Sequence, residues 1–176
     1  MKTLLSEEEL RRGVRRMAGE IAEHYGSHPL TIVGVLTGSV VLLADLIRRL
    51  EMPLRVGVVQ ASSYRGGTQR GNLTINSELM LDIEGRDVLL VDDIFDTGHT
   101  LVKVIALMQE LNPASVRSAV LLRKEGRQEV EMQPDFVAFD IPDKFVVGYG
   151  LDYRDEYRNL TYVGALEPED LVDETS

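Results

Sequence analysis

The sequence predicts an α/β fold with a mostly parallel central sheet flanked by helices. Segments with helical periodicity alternate with short apolar, β-branched runs, which is the pattern of such folds. One run, residues 87–91, is almost continuously apolar, as expected of a strand that is buried on both faces of a parallel sheet. The 176 residues contain no linker-like segment, so we expect residues 1–176 to form a single domain.

The first helix is predicted to begin after Ser6, because Ser6 and Glu9 have the spacing of a capping box. It is predicted to end at Gly26, a typical helix-terminating residue. Its apolar residues recur at helical spacing: Leu10, Val14, Met17, Ile21 and Tyr25.

The remaining elements follow from the same kinds of pattern. Helices are predicted for residues 40–50 and 98–111, the second ending before Pro113. Strands are predicted for the short apolar runs: residues 31–36, 55–60, 87–91, 116–122, 136–139, 144–148 and 160–166. Residues 62–72 are glycine-rich and polar, which predicts a mobile loop, followed by a returning strand from Leu73. The acidic tail from Glu167 is predicted to be frayed.

Composition narrows the possible partners. The net charge of −10, from 19 basic and 29 acidic residues, argues against a nucleic-acid partner, because phosphate backbones are bound by basic surfaces. The apolar run 38–50 contains charges and is too short to cross a membrane, and residues 1–16 lack the apolar stretch of a signal peptide. The absence of cysteine excludes disulfides and thiolate chemistry. We therefore expect a cytoplasmic protein without a membrane partner.

Residues 88–100, VLLVDDIFDTGHT, carry most of the functional information. A buried strand ends in Asp92 and Asp93, and a short turn then leads into a helix whose free N–H groups and dipole attract an anion. Thr97 and Thr100 add hydroxyl donors, and Gly98 allows close approach of the backbone. Carboxylates facing a phosphate would repel it, so the acid pair is expected to bind sugar hydroxyls or a magnesium ion.

Two other interpretations of this motif exist. In the first, Asp96 or Thr97 merely caps the helix and the acid pair is solvated. In the second, the acids belong to a receiver domain, but that class places its acid pair near the N-terminus and needs further residues after later strands. The Asp-Thr-Gly sequence at residues 96–98, so soon after the acid pair, argues against both interpretations.

The complete motif resembles the phosphoribosyl-diphosphate signature, and from about Leu30 onward the chain resembles the hypoxanthine-guanine phosphoribosyltransferases of bacterial length. The resemblance implies the type I phosphoribosyltransferase fold, with a small hood built from terminal segments. The matching segments occur in the family's order: residues 36–39 with 44–46, Ser63-Tyr64, residues 88–100, residues 141–153 and Arg158.

The resemblance implies a role for each matching residue. Asp96 would face N7 of a purine as general base, Lys124 would donate to the exocyclic O6, and Phe145 would stack on the base. Val146 would contact the purine edge through its backbone. Asp152 would contact the purine and ligate magnesium. The peptide bond after Leu36 is cis in the family.

The other implied sites are sets of neighbouring residues. The implied ribose 5-phosphate site consists of Asp92, Asp93, Asp96, Thr97, Gly98, His99 and Thr100. The implied diphosphate site consists of Thr37, Gly38, Ser39 and Arg158. The implied magnesium ligands are Asp152, Asp92 and Asp93, and the implied flexible loop contains Ser63 and Tyr64.

Two positions depart from the family pattern. Thr37 stands where the family often has lysine or arginine, and His99 stands where it often has lysine. Neither change removes a group that the chemistry requires.

The implied reaction is purine salvage: transfer of the 5-phosphoribosyl group from 5-phosphoribosyl 1-diphosphate to N9 of hypoxanthine or guanine. The products are IMP or GMP and diphosphate, the cofactor is Mg²⁺, and the assembly is a homodimer or homotetramer. One alternative is a xanthine-preferring enzyme. Another is an RNA-binding regulator on the same fold, against which the acidic net charge and the presence of Lys124, Phe145 and Asp152 argue.

Overall fold

The structure is a computed structural model that describes residues 1–63, 73–76 and 81–171. Its main sheet has six strands in the order β4-β3-β2-β5-β6-β7. The strands are β2 (Leu30–Leu36), β3 (Leu54–Ser63), β4 (Leu73–Asn76), β5 (Asp87–Phe95), β6 (Ser115–Lys124) and β7 (Phe136–Ile141). Only β4 is antiparallel, so the predicted mostly parallel sheet is confirmed.

Two helices cover one face of this sheet and one covers the other. Helix α1 (Glu7–Tyr25) and α2 (Val40–Ile47) pack in one hydrophobic cluster, and α3 (His99–Gln109) packs in a second. Strand β5 contributes alternate residues to each: Leu89 to the first cluster and Leu90 to the second. This explains the unbroken apolar run, because both faces of β5 are covered.

The predicted capping box at the start of α1 is confirmed. The Ser6 hydroxyl accepts a hydrogen bond from the Glu9 N–H at 3.1 Å, and the Glu9 carboxylate accepts one from the Ser6 N–H at 2.7 Å. Gly13 lets this helix lie directly on β7, because a Cβ there would come within 2.1 Å of the Phe139 ring.

The prediction for α2 is wrong at its end. The helix stops at Ile47 rather than at residue 50. The Arg48 guanidinium donates to the carbonyl of Ala44 at 2.9 Å, which satisfies an acceptor that a continuing helix would use. The chain then turns toward β3.

A second, three-stranded antiparallel sheet lies apart from the main one and matches the hood implied by the sequence. Its order is β1-β9-β8, with β1 at Lys2–Leu5, β8 at Val146–Val147 and β9 at Val163–Ala165. In the tail predicted to be frayed, Pro168–Leu171 forms a 3-10 turn, whereas residues 172–176 lie outside the described residues. Asp170 holds it, because its carboxylate lies 2.9 Å from the N-terminal amine of Met1.

Parallel strands place their carboxyl ends at a common edge. Here the edge carries the ends of β2, β5 and β6 and the segments that follow them. They hold the predicted diphosphate loop, the acidic motif and Lys124. In open α/β sheets this is where ligands bind. No helix within the described residues combines the length and apolar character needed to span a membrane.

Candidate active site

The turn between β5 and α3 is shaped to approach an anion. Gly98 has a φ of 93°, and a Cβ on it would come within 2.3 Å of Val130, so only glycine fits. No side chain caps the helix at this residue, which leaves the first N–H groups of α3 without a side-chain acceptor. Asp92 is only 7% exposed. Both observations contradict the helix-cap interpretation with solvated acids.

A cleft of about 260 Å³ opens over this turn. It brings together six of the seven predicted ribose 5-phosphate residues: Asp92, Asp93, Asp96, Thr97, Gly98 and Thr100. The seventh, His99, points its ring elsewhere, because its Nε2 lies 2.7 Å from a Glu129 carboxylate oxygen. Contact of the His99 side chain with phosphate stays a prediction.

The acid pair is held by the backbone at the end of β5. Asp92 accepts a hydrogen bond from the Asp93 N–H at 2.8 Å, and Asp93 accepts one from the Ile94 N–H at 2.7 Å. Burial raises the pKa of both carboxyls, and the charge of Asp93 raises that of Asp92 further. A sugar hydroxyl or a cation would restore polar partners that water cannot supply there.

The predicted diphosphate loop lies directly against this pair. The Leu36–Thr37 peptide bond is cis, as the resemblance implied. A Cβ on Gly38 would come within 1.9 Å of the Asp93 carboxylate, so loop and acid are in close contact. Ser39 is buried at the start of α2, and its hydroxyl donates to the Val35 carbonyl at 2.6 Å. Ser39 therefore uses its hydroxyl proton in a hydrogen bond to the end of β2.

Arg158 joins this loop to the predicted magnesium ligand. Its Nη1 donates to the Gly150 carbonyl at 2.7 Å, and its Nη2 lies 3.3 Å from the Asp152 carboxylate. A Cβ on Gly150 would meet the Gly38 carbonyl at 2.4 Å. The diphosphate loop, the segment from Gly150 to Asp152 and Arg158 thus meet at the sheet edge.

A second cleft, of about 210 Å³, holds the four predicted purine-binding residues: Lys124, Phe145, Val146 and Asp152. Lys124 is 9% exposed, and its Nζ lies 3.4 Å from the Asp96 carboxylate. Phe145 is 44% exposed and stands edge-on to Tyr153, with ring centroids 5.4 Å apart. An exposed ring beside a buried ammonium can accept a flat, polar-edged base.

The two clefts are neighbours because they share lining residues: Asp93, Ile94 and Asp96. A ligand could therefore place an anionic group on the turn and a planar group beside Phe145. A larger cleft, about 570 Å³, lies between α1 and α2 and shares only Arg158 with the predicted sites. Its lining contains neither the acid pair nor the turn at residues 96–100, which we call the anion-binding turn.

The acids at this edge fit a magnesium ion that is partly held by a substrate. Asp93 and Asp152 line the same cleft, but no group of three potential metal-binding side chains occurs in the described part of the chain. Magnesium commonly uses one or two carboxylates together with water and substrate phosphates. The donor set matches that mode.

Sequence reasoning missed the loop after β6. Arg127 donates from Nε to the Asp96 carboxylate at 3.0 Å, and the Glu129 N–H donates to the Thr97 carbonyl at 2.9 Å. The available signal was the position of Arg127, which follows the carboxyl end of β6 by three residues. Of the predicted flexible loop, Ser63 ends β3, whereas Tyr64 lies outside the described residues.

Comparison with known proteins agrees with this geometry. The family described as "Phosphoribosyl transferase domain" matches residues 1–154, so the fold and site define a phosphoribosyltransferase. A hypoxanthine-guanine phosphoribosyltransferase of Staphylococcus epidermidis is 44% identical over 167 residues, covering 94% of this chain and 93% of that protein. One from Staphylococcus aureus is 40% identical over 169 residues, covering 96% and 94%.

Solved structures give the same result. A hypoxanthine phosphoribosyltransferase from S. aureus has a TM-score of 0.91 at 38% identity, covering 98% of this chain and 95% of that one. A hypoxanthine-guanine phosphoribosyltransferase from Bacillus anthracis has a TM-score of 0.89 at 33% identity, covering 95% and 99%. The chain belongs to the hypoxanthine-guanine phosphoribosyltransferase family, as its motifs predicted. The receiver-domain alternative is wrong.

Proposed function

We propose that this enzyme transfers the 5-phosphoribosyl group from 5-phosphoribosyl 1-diphosphate to N9 of hypoxanthine or guanine. The products are IMP or GMP and diphosphate. The observation that carries the proposal is the approach of Lys124 Nζ to within 3.4 Å of the Asp96 carboxylate, in a cleft adjoining the anion-binding turn. A donor for O6 and an acceptor for the N7 proton lie about as far apart as those atoms in a 6-oxopurine.

The phosphorylated sugar would be held at the sheet edge. The N–H groups and hydroxyls from Thr97 to Thr100 bind the 5-phosphate, and Asp92 and Asp93 accept hydrogen bonds from the ribose hydroxyls. Arg158 and the backbone of residues 37–39 contact the diphosphate. Asp152 would hold Mg²⁺ together with substrate oxygens, and the bound ion would supply positive charge that stabilises the leaving diphosphate.

The purine would be held beside C1 of the ribose. Phe145 stacks on its face and the Val146 backbone meets its edge. Asp96 accepts the N7 proton, which makes N9 more nucleophilic, and N9 attacks C1 from the side opposite the diphosphate and inverts it. Lys124 donates to a 6-oxo group, whereas a 6-amino group would present a donor to the ammonium.

The test measures magnesium-dependent nucleotide formation with hypoxanthine, guanine, xanthine and adenine in parallel. We expect turnover with hypoxanthine and guanine and none with adenine. Asp96→Asn should keep the fold and lower kcat by more than about 100-fold, since a positioned base supplies roughly 10²–10⁴-fold. Unchanged turnover in that variant would remove Asp96 from its role.

The same assay decides between this proposal and its rivals. Turnover mainly with xanthine would indicate the xanthine-preferring alternative. No turnover, together with retention of RNA in a filter-binding assay, would indicate the regulator. The acidic net charge of −10 makes the second result unexpected.

We also propose a cytoplasmic homodimer or homotetramer. Support for assembly comes from the Trypanosoma cruzi hypoxanthine phosphoribosyl transferase, 38% identical, whose structure was examined for its oligomeric state. Light scattering at several protein concentrations would give the mass in solution, and a monomer at micromolar concentration would contradict this proposal.

A further inference from the structure

Four charged side chains form a closed ring beside the cleft that contains Lys124 and Phe145, here called the base cleft. The Asp96 carboxylate receives Arg127 Nε at 3.0 Å and has Lys124 Nζ at 3.4 Å. Asp143 lies opposite, 3.5 Å from the same Lys124 nitrogen and 3.8 Å from the same Arg127 nitrogen. Each cation thus faces both carboxylates, and the ring as a whole is neutral.

The members of the ring lie at different depths. Asp96 and Lys124 line the cleft, whereas Arg127 and Asp143 are not among its lining residues in the part of the chain that the structure describes. Arg127 therefore reaches the Asp96 carboxylate from outside the space that a base would occupy. It can remain in place when that space is filled.

The contact of Arg127 selects one carboxylate oxygen. Nε donates to Oδ1, whereas Oδ2 is the oxygen on the side of Lys124. A carboxylate with one oxygen fixed in this way cannot rotate freely about its last side-chain bond. Oδ2 is thereby kept on the side where the substrate's N7 proton would arrive.

The backbone around Arg127 is itself attached to the anion-binding turn. The Gln128 side-chain amide donates to the Asp96 carbonyl at 3.3 Å and to the Lys124 carbonyl. The Glu129 N–H donates to the Thr97 carbonyl at 2.9 Å. The backbone that carries Arg127 is therefore fixed relative to Asp96. This reduces the entropy that is lost when the Arg127 guanidinium binds the Asp96 carboxylate.

We propose that Arg127 is a positioning residue for the reaction: it holds the Asp96 carboxylate in the orientation that accepts the purine N7 proton. Asp143, together with Asp96, balances the charges of Arg127 and Lys124. The inference rests on the proposed role of Asp96 as general base. Arg127 itself contacts neither substrate.

A double-mutant cycle tests this inference. Arg127→Ala should lower kcat with hypoxanthine by about 10-fold, a part of what the positioned base supplies, and leave the KM for 5-phosphoribosyl 1-diphosphate within about two-fold. In the Asp96→Asn background the same substitution should change kcat by less than about two-fold, because the group it positions is gone. Arg127→Lys, which keeps the charge but not the fork, should recover only part of the loss.

Arg123→Ala is the matched control. Arg123 makes an ion pair of similar exposure with Asp140 across β6 and β7, at 2.6 Å, and its loss should leave kcat unchanged. Melting temperatures of all variants show whether folding is affected. An equal loss of kcat in both backgrounds, no loss, or a gain after Arg127→Ala would each overturn the inference.

The role of Asp96 and the role of Arg127 can be tested separately. Wild-type turnover and its collapse in Asp96→Asn test the proposed function alone. If both occur and the cycle is additive, only the role of Arg127 fails. If Asp96→Asn turns over normally, the premise fails and the inference with it.

Discussion

Replacing Lys124 with methionine should separate recognition of the base from catalysis. Methionine keeps an unbranched stem of similar length and removes only the ammonium, so the change does not open a large cavity. Lys124 is 9% exposed, and among the residues that the structure describes it is the one cation on the cleft lining, since Arg127 lies outside the cleft. The substitution therefore removes the donor that would read position 6.

The magnitude follows from the burial of Lys124. A hydrogen bond to a charged group contributes about 1.5–3 kcal/mol, so kcat/KM for hypoxanthine should fall about 10- to 150-fold. Discrimination against adenine, about 10⁴-fold at a site built around such a bond, should shrink to about 10²-fold. Stability should change by only about 1 kcal/mol, because Asp96 and Asp143 are partly exposed and Arg127 still faces both.

The assay is nucleotide formation with hypoxanthine and adenine, each over a full range of base concentration. Lys103→Met is the matched control, because Lys103 is exposed on α3. We expect the control to retain both rates. If Lys124→Met rejects adenine as strongly as the wild type does, another group reads position 6 and the assignment of Lys124 is refuted.

Two further substitutions test the remaining parts of the site. Phe145→Ala should raise the KM for the purine about 5- to 150-fold, since stacking on a base contributes about 1–3 kcal/mol, while the melting temperature stays nearly constant because the ring is 44% exposed. An unchanged KM would exclude stacking. Gly38→Ala should lower kcat/KM for 5-phosphoribosyl 1-diphosphate about 100-fold, because the new Cβ would collide with Asp93 and displace the loop. Gly19→Ala is its control and should retain activity, because a Cβ there meets no atom of the described residues within 4 Å. Equal effects of the two substitutions would contradict the reasoning.

Local sequence patterns predicted the elements whose cause is local. The capping box of α1 needs only Ser6 and Glu9, three residues apart. Strand β5 is recognisable because both of its faces are covered, which requires an unbroken apolar run. The anion-binding turn follows from the same stretch of chain, since Gly98 and the start of α3 are adjacent in sequence.

Features that depend on distant partners were not predictable in this way. The 3-10 turn at Pro168–Leu171 is held by Asp170 and the N-terminal amine, which are far apart in sequence. Arg127 contacts Asp96 across 31 residues, and its position three residues after β6 does not by itself distinguish it from a solvated arginine. The pairing becomes visible only when β5 and β6 are known to be neighbours in the sheet.

The relative placement of sugar and base depends chiefly on one strand. Asp93, Ile94 and Asp96 line both clefts, and all three lie just after the fully buried run of β5 that ends at Val91. The spacing between the anion-binding turn and the base cleft is therefore set by a rigid, doubly covered backbone rather than by mobile side chains. Alignment of N9 with C1 requires such fixed spacing, because an error of about 1 Å can cost about 100-fold in rate. Under the proposed function, an acidic strand end in the centre of the sheet would serve both substrates. The loop after its neighbour β2 would contact the diphosphate, and Lys124, at the end of its other neighbour β6, would contact the base.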